Sequence, residues 1–291
     1  MYTIVEFNGI GTTWFVEFFE NVDEAIIENV KLMVQDFENK YSRFISTSEV
    51  SILNDQKFLN NPSEDFIKMI AIGEKARALT SGVFDLSIGG ILEDMGYDSE
   101  KTFIPKKTKR YKTGSIHYDE SKITIDSNVK IDLGGVGKGF LVDKVKDYLL
   151  NKNINYFQVN AGGDIYATSD NCLDIEFGLE NPFNLDESIG TIKIKNKSIA
   201  SSSNSKRRWK YDNQDFHHLV NINNTSNNVK AVYTFGDRCI DTDIVSTSLY
   251  LSPKELHQKI SSYYNVEYLI VFEDSTFIKS NNYPADLFKA S

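Results

Sequence analysis

The stretch Ile131-Asp-Leu-Gly-Gly-Val-Gly-Lys-Gly-Phe-Leu-Val-Asp143 sets four glycines and a lysine where a strand would run into a helix. Glycines at 134, 135, 137 and 139 let backbone N–H groups approach a phosphate, and a helix N-terminus adds a positive dipole. Lys138 adds a formal charge. The G-x-x-x-x-G-K-[ST] spacing of a Walker A loop is absent, and so is a clean G-x-G-x-x-G. A tight turn that simply needs glycine fits the stretch as well.

Four other places hold chemistry-bearing residues. In Asp241-Thr-Asp-Ile-Val-Ser-Thr-Ser-Leu249, Asp243 and Thr247 are four apart and share one helical face. A carboxylate and a hydroxyl are hard oxygen ligands suited to Mg²⁺ that also holds substrate phosphates. Ser246 is counted with them as a candidate ligand. The competing reading is a helix start with Asp243 near the cap. In Val159-Asn-Ala-Gly-Gly-Asp-Ile165, Asp164 could take a ligand hydroxyl or close a turn. In Thr80-Ser-Gly-Val-Phe-Asp-Leu-Ser-Ile-Gly-Gly90, Asp85 stands between apolar neighbours, where an acid often serves a turn. The fifth place is Ser201-Ser-Ser-Asn-Ser-Lys-Arg-Arg-Trp209 with Phe216-His-His-Leu-Val-Asn221. Adjacent His217 and His218 would face opposite sides of a strand, so only one can point into a site.

The elements that must position these residues follow from periodicity. Residues 3–19 alternate around a glycine turn and predict two strands. Apolar residues recur at helical spacing over 23–41, and 64–79 predicts a second helix with Ser63 as N-cap. Residues 107–131 predict short strands and turns, 139–150 a third helix, 157–232 mostly strands, 241–251 a fourth helix, and 266–280 a strand hairpin. Strands come in runs rather than alternating singly with helices. That predicts an α+β fold, mostly antiparallel sheet with packed helices. No internal repeat or long Pro/Gly/Ser linker divides the chain, so 1–291 is expected to be a single domain.

Composition narrows the function. The 291 residues are 41% hydrophobic and 25% charged, with a formal net charge of −9. Such a surface repels nucleic acid, and no basic run with interleaved aromatics offsets it. An acidic protein that binds a diphosphate needs a metal ion or local donors. Cys172 and Cys239 fit no zinc spacing and make no disulfide framework, so both are expected to be idle or buried thiols. The N-terminus lacks the basic and apolar regions of a signal peptide, and no stretch approaches a membrane span. A cytoplasmic location is the expectation.

Each stretch alone is ambiguous, but their order and spacing together resemble the successive signature blocks of the ApbE-type flavin transferases, the FAD:protein FMN transferases. The blocks are Thr80-Ser-Gly-Val-Phe-Asp85, Asp132-Leu-Gly-Gly-Val-Gly-Lys-Gly139, Val159-Asn-Ala-Gly-Gly-Asp-Ile165, Ala200-Ser-Ser-Ser203 with Arg207-Arg-Trp209 and His217-His-Leu-Val220, and Thr242-Asp-Ile-Val-Ser-Thr-Ser248. Gly9-Ile-Gly-Thr-Thr-Trp14 and Phe44 with Ser48-Glu-Val-Ser-Ile-Leu-Asn54 resemble two more. The resemblance covers about residues 9–251.

It implies an enzyme that uses FAD and Mg²⁺, moves FMN through its phosphate onto a Thr or Ser hydroxyl of an acceptor protein, and releases AMP. It further implies metal ligation by Asp243, Thr247 and the Gly135 carbonyl. It implies FAD contacts from Ile10, Phe44, Val83, Phe84, Asp85, Asp132, Lys138 and Leu219. His218 and Asp243 would be the catalytic residues, with the base either His218 or an aspartate. The chain departs from the family where His218-Leu-Val-Asn221-Ile222 replaces the usual His-x-x-Asp-Pro, and Thr242 replaces an alanine. Two other readings stay open: a Mg²⁺-dependent FAD pyrophosphatase giving FMN and AMP, and a non-catalytic flavin-binding protein. The retained Asp243 and Thr247 speak against the latter. No Ser/Thr-Gly-Ala-Ser/Thr segment occurs in this chain, so the acceptor would be a separate protein.

Overall fold

The computed structural model describes residues 2–98, 100, 102–106, 108, 110–169, 174–204, 208–212, 214–217, 219–220 and 228–288, with 208 and 214–217 described by backbone alone. The fold is α+β with antiparallel sheets, as the runs of strands predict. Contacts group the chain into two compact units: Met1–Val34, Lys138–Ser203 and Asn227–Ser291 form one, Gln35–Gly137 and Asn204–Ser226 the other.

The first unit is built on an eight-stranded sheet in the order Thr3–Gly9, Thr12–Phe18, Phe157–Ala161, Asp164–Thr168, Lys197–Ser203, Val229–Gly236, Glu267–Phe272 and Phe277–Lys279. Every neighbouring pair is antiparallel. Central strands are buried on both faces, which is why Asp164–Thr168 reads as a continuous run instead of alternating. On one face Ala231, Tyr233, Leu269 and Ile165 pack with Leu179, Ile192 and Ile194 of a three-stranded sheet. The opposite side chains of the same strands meet the helix Cys239–Leu251: Thr234 Oγ1 donates to the Thr242 carbonyl at 2.9 Å. That helix is buried nearly all round, its polar residues included, with only Asp241 and Thr247 partly exposed. It starts two residues before the predicted Asp241.

Two helices of this unit close each other's ends. Asp143 accepts from the Cys239 and Ile240 amides at 3.1 and 3.0 Å, and Asp243 accepts from the Gly139 amide at 3.1 Å. Carboxylates at helix N-termini satisfy orphan donors and complement the dipole. The close approach needs Gly139: a Cβ there would lie 2.7 Å from the Cys239 carbonyl oxygen and 2.9 Å from Asp243 Cβ. Gly139→Ala is therefore expected to lower stability by about 1–3 kcal/mol through overpacking. Chemical denaturation checks this, and an unchanged midpoint would mean the helices can part freely.

The second unit holds the helices Glu49–Gln56, Glu64–Leu79 and Gly89–Asp94, a three-stranded sheet of Phe58–Asn60, Lys122–Ile125 and Ile116–Tyr118, and the hairpin Arg208–Tyr211 with Gln214–His217. Ser63 has extended cap geometry, but its hydroxyl bonds Glu49 and Tyr41 rather than a helix amide. Sequence periodicity did not single out Glu49–Gln56, Gly89–Asp94 or His257–Tyr264. They are one or two turns long, too short for a periodic pattern to stand out. Glu49–Gln56 is anchored instead by Asn54, which donates to the Ile131 carbonyl and accepts from its amide at 3.0 and 2.6 Å.

Candidate active site

In the first unit Lys138, in the opening turn of the helix Gly137–Asn151, lies between two aspartates. Its ammonium pairs with Asp164, at the start of the strand Asp164–Thr168, and lies 3.9 Å from Asp243 Oδ1. The side chains of Asp164 and Asp243 are 1% and 4% exposed. Among the described residues two buried carboxylates thus face one ammonium, a formal excess of one negative charge. Asp243 is the fifth residue of its helix and buried, so the reading of Asp243 as a residue at the helix start is corrected: it caps the neighbouring helix, not its own.

Thr247 follows one turn later. Its hydroxyl lies 3.1 Å from Ser202 Oγ, and Ser202 Oγ lies 2.8 Å from Ser246 Oγ. Ser246 donates back to the Asp243 carbonyl at 2.9 Å, so its hydroxyl hydrogen is directed along the helix. Thr247 is half-buried in an otherwise enclosed stretch, while Ser246 is fully buried. The sequence quotes Ser202 only as part of a serine run. Its pairing across strand and helix is a long-range fact that no local spacing carries.

Ile10 sits at the tip of the first hairpin with φ 46°, a left-handed position costly for a branched residue. It is followed by Gly11 at φ 74°. Gly162 and Gly163, at φ 66° and 102°, make the turn before Asp164. A Cβ on Gly162 would strike Thr12 Oγ1 at 2.1 Å, and one on Gly163 would touch Ser201 Oγ at 3.4 Å. The Ile10 hairpin, the Asn160–Asp164 turn and the serine strand thus meet at one end of the sheet. Asn160 serves that turn, accepting from the Gly163 amide at 2.9 Å.

In the second unit Arg43 organises the predicted residues around Asp132. Its Nε donates to Asp132 Oδ2 at 2.6 Å and Nη2 to the Tyr97 carbonyl at 2.8 Å. The guanidinium lies 4.2 Å from the Phe44 ring centre and 5.0 Å from that of Tyr97. Phe44 meets Tyr97 edge-on at 5.5 Å, and Tyr97 and Phe103 lie 5.9 and 5.5 Å from Trp209. Asp132 Oδ1 accepts from the Gly134 amide at 2.7 Å. The Phe84 ring covers Gly135 so closely that a Cβ there would stand 2.9 Å from Phe84 Cε2. Val83, Phe84 and Leu219 are buried. Asp85 accepts from the Ser87 amide and hydroxyl at 2.7 and 2.6 Å and pairs with Arg77 at 3.0 Å, which is the turn role the sequence left open. His218 lies outside the described residues, as do Asn221 and Cys172. Cys239 is fully buried, and burial pushes its thiol well above the usual range, as an idle thiol requires.

The ApbE family matches residues 10–270 of the chain. The chain belongs to the ApbE family. It is 23% identical to the FAD:protein FMN transferase of Haemophilus influenzae, over 94% of this chain and 87% of that protein. It is 21% identical to the one of Vibrio cholerae, over 96% and 90%. Among solved structures, the ApbE protein of Thermotoga maritima superposes with a TM-score of 0.85 at 22% identity, covering 97% of this chain and 98% of that one. The flavin transferase ApbE of Vibrio cholerae, as a mutant, gives 0.82 at 18%, covering 97% and 98%. These likenesses show the ApbE fold.

The ApbE residues present fit a hard divalent cation. Asp243 and Thr247 offer carboxylate and hydroxyl oxygen from one helix face, and the surplus negative charge of the Asp164–Lys138–Asp243 group favours positive charge. Among the described residues no group of three or more His, Cys, Asp or Glu could hold a metal. An all-protein cage of that kind is thus absent there, and Mg²⁺ characteristically relies on few protein ligands, substrate phosphates and water. Among the described residues no helix is long and apolar enough to cross a membrane.

Proposed function

We propose that the chain is a FAD:protein FMN transferase that moves FMN from FAD to a Thr or Ser hydroxyl of a separate acceptor protein with Mg²⁺, and that residues 1–291 act as one functional domain. The observation that carries this reading is the buried Asp164–Lys138–Asp243 group beside the Thr247 hydroxyl, in a chain of the ApbE family. Asp243, Thr247, Ser246 and the Gly135 carbonyl are assigned to the metal. Ile10, Phe44, Val83, Phe84, Asp85, Asp132, Lys138 and Leu219 are assigned to FAD. Because the Asp85 carboxylate serves its own turn, a contact from 83–85 is assigned to backbone.

Mg²⁺ bound there would supply positive charge against the phosphate oxygens as the transfer proceeds. Lys138 binds the diphosphate by its charge. The acceptor oxygen attacks the FMN phosphorus, the bond from that phosphorus to the bridging oxygen breaks, and AMP leaves with that oxygen. The hydroxyl proton goes to His218 or to an aspartate of the site. Phe44, Tyr97 and Trp209 form an aromatic cluster, and stacking of an isoalloxazine ring on one of its faces is assigned to it.

Phe44→Ala is expected to weaken FAD binding about five-fold, the equivalent of about 1 kcal/mol of ring contact. Quenching of flavin fluorescence on titration reads this, and equal affinity would remove Phe44 from the site. The reading as a whole is tested by incubating the protein with FAD and Mg²⁺, with and without an acceptor peptide containing Thr-Gly-Ala-Thr. AMP only with acceptor supports the transferase. AMP at the same rate without acceptor makes the protein a pyrophosphatase, and no AMP in either arm makes it a flavin binder.

A further inference from the structure

Among the described residues Lys138 has two carboxylates to choose between, and the structure gives them unequal shares. The ammonium pairs directly with Asp164, while Asp243 Oδ1 stands at 3.9 Å, the limit of an ion pair. The other Asp243 oxygen accepts from the Gly139 amide, so Oδ1 is the oxygen turned toward the ammonium. Asp164 is placed with little freedom. It follows the two positive-φ glycines of its turn, begins a fully buried strand, and has a side chain 1% exposed.

We propose that Asp164 is a positioning residue that holds the Lys138 ammonium off Asp243, so that Lys138 does not compete with a divalent cation for that carboxylate. The inference rests on the Mg²⁺-dependent reading above. An ammonium is a compact point charge on a flexible stem, and in a poorly solvated place it moves to the nearest carboxylate. Without the Asp164 carboxylate, the nearest among the described residues is Asp243. Lys138 would then put a positive charge where the metal charge is needed, and like charges at that range repel strongly where water is scarce. With the Asp164 carboxylate in place, Lys138 stays beside the site without filling it. Two positive charges can then face one diphosphate.

The test is a titration of the full chain with Mn²⁺ up to millimolar concentration, read by the electron paramagnetic resonance of the free ion, with melting curves as the check on folding. Asp164→Asn is expected to raise the Mn²⁺ Kd about ten-fold, a size usual for coupled neighbouring charges. Lys138→Gln should not weaken Mn²⁺ binding. In the Lys138→Gln background, adding Asp164→Asn should change Kd less than about three-fold, because only the direct attraction of the Asp164 charge for the ion is then lost. A merely structural Asp164, or one that ligates the metal itself, would lower affinity in both backgrounds. Either that result, or equal Kd for wild type and Asp164→Asn, overturns the inference. If Asp164→Asn does not fold, Asp164→Ser takes its place in both backgrounds. Wild-type protein that takes up no Mn²⁺ overturns the metal assignment itself, and the inference with it.

Discussion

Asp243→Asn is expected to cut AMP release from FAD by at least about 10²–10³-fold, the usual loss when one preorganised electrostatic partner of a transferring phosphate is removed. Asparagine keeps an oxygen that can accept from the Gly139 amide, so the contact between the two helix ends persists. Lys138 keeps Asp164 as its partner. What is lost is the charge that would attract the metal. Asp243→Ala is a poorer test. Asp243 is 3% exposed and tied to the neighbouring helix, so alanine also strips a cap, at about 1 kcal/mol, and leaves a cavity. The measurement is AMP by chromatography at saturating FAD, over a range of Mg²⁺ and Mn²⁺, beside a melting curve. Partial recovery at high metal concentration is expected. Turnover at the wild-type rate would reduce Asp243 to a helix cap.

Lys138→Met is expected to be the most destabilising of the substitutions considered, by about 3–5 kcal/mol, because it leaves Asp164 and Asp243 buried without their shared countercharge. The side chains of those aspartates are 1% and 4% exposed, so water cannot take over that task. FAD affinity should fall as well, since the diphosphate would meet two aspartates with no ammonium beside them. Adding Asp164→Asn to Lys138→Met should recover much of the stability, because one uncompensated charge is then gone, but not the FAD affinity. Urea denaturation measures the first effect and fluorescence titration the second. Equal stability of Lys138→Met and wild type would mean that water reaches the two carboxylates.

What could be read from the sequence divides along physical lines. Elements with a long local period were readable. The helix Glu64–Leu79 has the predicted bounds, and the first hairpin turns at Ile10-Gly11 as the alternation on either side requires. The Asp243–Thr247 face was readable because a helix fixes it by spacing alone. The partners of those residues were not. Asp164 is 26 residues from Lys138, and Ser202 is 45 from Thr247. Only the sheet order brings such pairs together. The same holds for Arg43, whose reach to Asp132 spans 89 positions, and for Asp143, which reads as one more acid on a helix until it meets the Cys239 and Ile240 amides. Asp85 shows the reverse case. Its motif suggests a ligand contact, while its carboxylate is engaged by Ser87 and Arg77.

The central claim is that a protein hydroxyl, rather than water, takes the FMN group from FAD. Its most direct measurement is the mass and in-gel fluorescence of a Thr-Gly-Ala-Thr acceptor after incubation with the protein, FAD and Mg²⁺, together with AMP from the same tube. The account predicts an acceptor carrying FMN through its threonine, one AMP released per flavin attached, and neither product with Asp243→Asn or with chelator. AMP and free FMN accumulating beside an unmodified acceptor, at a rate the acceptor does not change, would contradict it.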